Sequence, residues 1–194
     1  MKEILERDGN LLPFWFISRN EIYELAISSI AIAVAFSYPI LALLPFQLLV
    51  AGLGLAFHEL AHKYAAMNVG HRARFSMSVK GLLISLFASI LTMGTVKVGI
   101  PGAVHITSEM PPRDQMAQIA FAGPLVNMVV ALLFALLKYA SPLSVLVALP
   151  NASLALFNLL PIPPLDGSHI RRYSWRFWAL AFGLATAVIA ITII

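Results

Sequence analysis

Residues 46–67 read FQLLVAGLGLAFHELAHKYAAM, an apolar stretch into which His58, Glu59, His62 and Lys63 are set side by side. A run of this length suits a helix crossing a bilayer, which takes about 20 apolar residues. On a helix, residues four apart share a face, so the imidazoles of His58 and His62 point the same way. Such a pair can hold one metal ion, with Glu59 beside it to take a proton from water. Ionisable groups inside a membrane helix are costly and by default mark function. The competing reading is a buried, hydrogen-bonded polar cluster. An uncompensated Glu59 at that depth argues against it.

The rest of the chain agrees with a bilayer. Of its 194 residues 60% are hydrophobic and 11% charged, against about 45–50% and 25% in a soluble domain. No Pro/Gly/Ser-rich linker divides it, so a single domain over residues 1–194 is expected. The net charge of +4 does not point to nucleic acid, because the cations fall between apolar segments, as the positive-inside rule places them. Cysteine is absent, so any metal is held by nitrogen and oxygen. The start, MKEILERDGN, has no apolar run of the signal-peptide kind, and no cleavable signal is expected.

Apolar segments over residues 24–44, 46–67, 116–137, 143–160 and 177–194 predict five spans, with Phe14, Trp15 and Phe16 at the interface before the first. The run 81–94 has 14 residues, which fits a re-entrant or buried segment better than a span. Strand-like residues flank it at 77–80 and 95–106. The predicted class is therefore an all-α polytopic membrane protein of about five transmembrane helices, with a short membrane-associated β or re-entrant element between the second and third. With five spans, twelve of the thirteen Lys and Arg residues fall on one side and only Lys138 on the other. If 81–94 crossed the membrane, the split would be eight to five. The lopsided count puts the N-terminus on the cytoplasmic side.

Two imidazoles leave a catalytic zinc short of the three protein ligands it usually takes. The candidate third is Asp166, in NLLPIPPLDG (158–167), the only acidic residue after Asp114. Prolines break the helix there, and irregular backbone at membrane depth is expected only where it lines a protein cavity. The alternative for Asp166 is the N-cap of a helix starting near Ser168. In the five-span layout His58, His62 and Asp166 share one half of the membrane; with six spans they would not. Asn127 alone reads as an interhelical hydrogen-bonding residue. His169 and His105 read first as ordinary polar residues, and Trp175, Trp178, Arg171, Arg172 and Arg176 as an interface anchor.

HELAH (58–62) in an apolar helix, GPLVN (123–127) in the next span and NLLPIPPLDG together resemble the site-2 protease family of intramembrane zinc metalloproteases. The likeness covers roughly residues 46–170. It implies one Zn2+ per chain bound by His58, His62 and Asp166, Glu59 as general base, and Asn127 as a catalytic residue that positions substrate or stabilises the oxyanion. It also implies a transmembrane protein substrate held by strand addition along Gly99–Ile106. The length suggests a small form without PDZ or CBS domains, in a prokaryotic cell membrane. Ser168 stands where many members have a second Gly. The rival functions are a zinc-binding membrane transporter, which needs polar residues through both membrane halves, and an inactive membrane scaffold, which has no need of Glu59.

Overall fold

The computed structural model describes residues 17–194 in full. Of the first sixteen it describes only the backbone of β1 (Glu6–Arg7), paired antiparallel with β2 (Asn10–Leu11). The side chains of Phe14, Trp15 and Phe16, and of the cations Lys2 and Arg7, lie outside the described residues.

Among the described residues, four helical segments are long and apolar enough to cross a membrane: Arg19–Ser37, Leu41–Asn68, Arg113–Tyr139 and Trp175–Ile193. The chain is an integral membrane protein. α1 (Arg19–Ser37) starts at a capping box in which Ser18 and Glu21 satisfy each other's backbone N–H groups. The second segment is not one regular helix. A 3-10 turn, the short α2 (Leu44–Gln47) and a π-helical turn (Leu48–Gly52) lead into α3 (Leu53–Asn68), which carries HELAH. Ser29 Oγ donates to the Gly52 carbonyl at 3.0 Å, tying this turn to α1.

α5 (Arg113–Leu136) is the hub and packs against α3, α6 (Val145–Asn158), α7 (Asp166–Tyr173) and α8 (Trp175–Ile193). Its seams are lined by buried alanines, among them Ala120, Ala131, Ala152, Ala155, Ala181 and Ala185. Small residues let helices approach closely in lipid, where hydrophobicity gives no drive to associate. Large apolar side chains such as Leu133, Leu180 and Leu184 face outward. α6 with its preceding 3-10 turn covers only Pro142–Asn158, a shorter apolar helix.

Between α3 and α5 the second strand falls within the expected 95–106, while the first lies earlier than expected. The strand-like residues of the sequence are 77–80 and 95–106, on either side of 81–94. The structure has β3 (Ala73–Met77), α4 (Val79–Leu91) and β4 (Gly102–Ile106). Ser78 caps Gly81 N–H at 3.1 Å, so the helix begins earlier than its apolar run. Residues 73–77 form the first strand with alternating faces: Ala73 and Phe75 are buried while Arg74 faces out.

α4 and its return run alongside α1. Ser89 donates to Ala35 O, Tyr38 contacts Met93, and Lys97 then donates to the Phe36 carbonyl before Ser28 meets Pro101. Lys97, counted above with the cations near Arg19, thus sits by the last turn of α1, at its far end. Linear order could not show this, because the chain turns at Gly94 and residues 95–101 lead back along α1.

Among the described residues the hairpin is anchored along the β3 edge. Ser78 N bonds Pro101 O and Thr107 N bonds Arg72 O, so with the register Arg74↔His105 and Ser76↔Ala103 these pairs carry the ladder. The N–H groups of Phe75 and Met77 therefore point away from β4, and α1 meets them. Glu21 Oε1 accepts from Phe75 N at 3.0 Å and Glu24 Oε2 from Met77 N at 2.9 Å. Glu21 also accepts from Lys63 Nζ at 2.6 Å, both side chains being buried, which joins α1, α3 and β3. Breaking a buried pair leaves an uncompensated charge, so Lys63→Met is expected to lower stability by about 3–5 kcal/mol. Thermal unfolding of the detergent-purified variant measures this, and an unchanged transition would show that the pair does not hold the hairpin.

Candidate metal centre

α3 supplies two imidazoles one helical turn apart. α7, starting directly after the Pro-rich break, supplies a carboxylate. One donor atom from each of His58, His62 and Asp166 lies within 4.8 Å of the others. Asp166 Oδ2 is 3.2 Å from His58 Nε2 and 3.3 Å from His62 Nε2. Both histidines are buried.

The outer face of each ring is fixed by acceptors. His62 Nδ1 lies 2.7 Å from the Ile119 carbonyl, which can only accept, so Nδ1 carries the hydrogen. His58 Nδ1 lies 2.5 Å from Asn127 Oδ1. The Asn127 amide cannot be turned round, because its Nδ2 donates to Gly54 O at 3.1 Å and to Asn151 Oδ1 at 2.9 Å. Asn151 is oriented in turn by donation from its Nδ2 to Val147 O at 2.9 Å. The chain of amides ends on two backbone carbonyls. His58 therefore also carries its hydrogen on Nδ1.

Both Nε2 lone pairs then face the Asp166 carboxylate. Three electron-pair donors aimed at one point repel unless a positive charge lies between them, and a two-nitrogen, one-oxygen set suits a divalent transition metal with a position left open. The residues fit such an ion. Gly123 on α5 keeps the space clear: a Cβ there would meet Nε2 of both histidines, that of His58 at 2.7 Å. Gly167 lets α7 close onto the end of α6, since a Cβ would strike the Leu159 carbonyl.

A cavity of about 400 Å³ opens onto this point, walled by His58, Glu59, His62 and Asp166 on one side and by residues 99–106 on another. Each sequence-predicted residue can now be placed. His58, His62 and Asp166 converge and Glu59 stands on the same cavity wall. Asp166 is not an N-cap: Leu165 holds that position and the Asp166 side chain faces the imidazoles. Asn127 comes to the site but behind His58, fully buried, with its amide engaged by His58, Gly54 and Asn151. It does not wall the cavity as a substrate contact would. Sequence reasoning missed Asn151, though a lone amide in an apolar helix was a signal. It also passed over Asn158, which walls the cavity eight positions before Asp166. His169 and His105 wall the cavity too.

A model of peptidase family M50 matches residues 46–142 and 137–189. The chain belongs to this family. The M50 match spans the HELAH helix, α5 and NLLPIPPLDG, so the site-2 protease likeness read from these motifs stands and membership makes the chain a peptidase. It is similar to "Putative zinc metalloprotease MJ0611" of Methanocaldococcus jannaschii, 37% identical over 84% of this chain and 89% of that protein. "Putative zinc metalloprotease YwhC" of Bacillus subtilis is 27% identical over 70% of the chain and 71% of its own length. "Putative zinc metalloprotease Rip3" of Mycobacterium tuberculosis is 31% identical over 63% of the chain, covering 29% of that longer protein. No solved structure matches significantly.

Groups that orient a metal-binding imidazole typically change metal affinity about 10- to 100-fold when lost. Asn127→Leu should weaken zinc binding by that range while the helices stay packed. Competition with a chromophoric chelator gives the affinity, and wild-type affinity in the variant would remove Asn127 from this role.

Proposed function

We propose that this M50 peptidase is a zinc-dependent endopeptidase that hydrolyses peptide bonds of membrane-spanning proteins within or at the edge of the bilayer. It acts as a single metallopeptidase domain over residues 1–194, with its core at 46–170. One observation carries the reading: His58 Nε2, His62 Nε2 and Asp166 Oδ2 converge at a helix of membrane-spanning length, with Glu59 on the wall of the same cavity. Zinc, one ion per chain, is supported by the donor set and by the names of the relatives.

When bound, the ion polarises the scissile carbonyl and makes the attacking water more acidic. His58, His62 and Asp166 hold it. Glu59 takes a proton from the water as its oxygen bonds to the carbonyl carbon, and passes that proton to the departing amine nitrogen. Asn127 acts here through His58, keeping its Nε2 lone pair directed inward, rather than on the substrate.

A helical substrate carbonyl is bonded within its own helix, so the substrate must open before it is cut. β4 supports that step. With β3 occupied on its other side by Glu21 and Glu24, the groups of Gly102, Val104 and Ile106 are the ones directed away from the ladder. An extended substrate segment pairs with them as an added strand. The five-span layout goes with this reading, α4 and its return forming a re-entrant element and α6 the short fourth span. The N-terminus is then cytoplasmic, in a prokaryotic cell membrane.

Glu59→Gln should keep about one zinc per chain and the wild-type unfolding temperature, while cleavage falls by about 10²–10⁴. Metal analysis and cleavage of a single-span protein in proteoliposomes measure the two halves; proteolysis that survived would remove Glu59 from the general-base role. Val104→Pro deletes an outward N–H without touching a ladder bond, so it should cut turnover of membrane-spanning substrates with the fold intact. Unchanged turnover of that variant would rule out pairing at β4.

A further inference from the structure

Beside the cavity at the metal centre, by the start of α5 and along α7, lies a second hollow of about 330 Å³ walled by Met110, Pro111, Arg113, Met116, His169 and Arg172. Met110, Met116 and His169 wall both spaces. Helical spacing explains the alignment. On α7, Asp166, His169 and Arg172 follow at intervals of three; on α5, Arg113, Met116, Ala120 and Gly123 recur at three or four. Each helix thus runs from a group at the metal centre, through a middle residue, to a guanidinium at the outside.

Among the described residues no carboxylate walls the outer hollow. Among the described residues neither Arg113 nor Arg172 is ion-paired. As membrane-side anchors, these arginines would need only to lie on the right side of the bilayer. They would not need to share a hollow whose walls Met110, Met116 and His169 also line the metal cavity.

We propose that this cationic mouth is a specificity subsite that takes an acidic side chain of the substrate, a few residues from the bond that is cut. The inference rests on the endopeptidase reading above and adds a substrate class to it. Asp166 and Arg172 are six positions apart on α7, a rise of about 9 Å. An extended chain covers that in about three residues, so an Asp or Glu some three to five positions from the scissile bond meets the guanidinium groups. A strand laid along β4 leads the same way, since the chain after Ile106 reaches Met110 at the outer hollow. Most spans carry Lys and Arg on the cytoplasmic flank, and the mouth rejects these by like-charge repulsion.

The test uses fluorescent single-span Leu/Ala peptides whose flank carries either two Asp or two Lys. Binding to the detergent-purified Glu59→Gln chain reports recognition without cleavage. The Asp peptide should bind about fivefold more tightly at low salt, the range of one or two partly exposed ion pairs. The preference should vanish in Arg113→Gln/Arg172→Gln and reverse in Arg113→Glu/Arg172→Glu, with the Gln pair covering any folding failure of the Glu pair. A preference identical in all three backgrounds overturns the subsite. So does a Gln pair that loses binding to phosphatidylglycerol vesicles while keeping the peptide preference, which would assign the hollow to lipid phosphate. The two readings fail separately. If wild-type chain leaves the Asp peptide uncut while the binding preference persists, the peptidase reading falls. Equal kcat/KM for both peptides in wild type overturns the subsite alone.

Discussion

Two backbone carbonyls, those of Gly54 and Val147, set the direction of a chain of amides that ends on His58. A carbonyl only accepts, so each amide must turn its nitrogen toward it and its oxygen onward. The last oxygen, that of Asn127, leaves His58 one tautomer, with its free electron pair facing Asp166 and His62. In a hydrocarbon environment no water stands ready to replace a missing partner. The network has to close on itself, and it does so only where α3, α5 and α6 pack closely. The alanine-lined seams and Gly123 are the steric conditions for that approach.

A second constraint follows from the hairpin between α3 and α5. A two-stranded sheet has two edges, and each unpaired edge offers backbone groups to any extended chain. α1 closes one edge with carboxylates rather than with a strand, Glu21 and Glu24 meeting alternate N–H groups of β3. Glu21 is itself bound to Lys63 on the helix that carries HELAH. The position of the sheet is thereby tied to the position of the imidazoles. The edge left over is on β4, whose residues wall the cavity at the metal centre.

Much of this site was readable in linear order, for local reasons. The spacing of His58 and His62 implies a shared helical face whatever surrounds it. The length and polarity of 46–67, 116–137 and 177–194 mark helices fit to span a bilayer, and the structure has them with small shifts at the ends. Asp166 was found by elimination, as the last acidic residue in a Pro-broken segment. The surroundings of Asn127 were not readable: only its partners in the fold show that the amide faces His58. The first strand of the hairpin was misplaced because five residues are too few to fix a period, and because Ser78 starts a helix where the pattern suggested extended chain.

The sequence by itself determined that the chain lives in a bilayer, that α3 carries a metal-ready pair beside an acid, and that a carboxylate far along the chain is available to complete it. These follow from composition and from spacing within single elements. Only the tertiary structure decided that Asp166 reaches both imidazoles, which tautomer His58 holds, where Lys97 lies, and which strand edge stays open. Each of those depends on atoms brought together from about 50 to more than 100 positions apart, a relation that helix packing creates and residue order does not encode on its face.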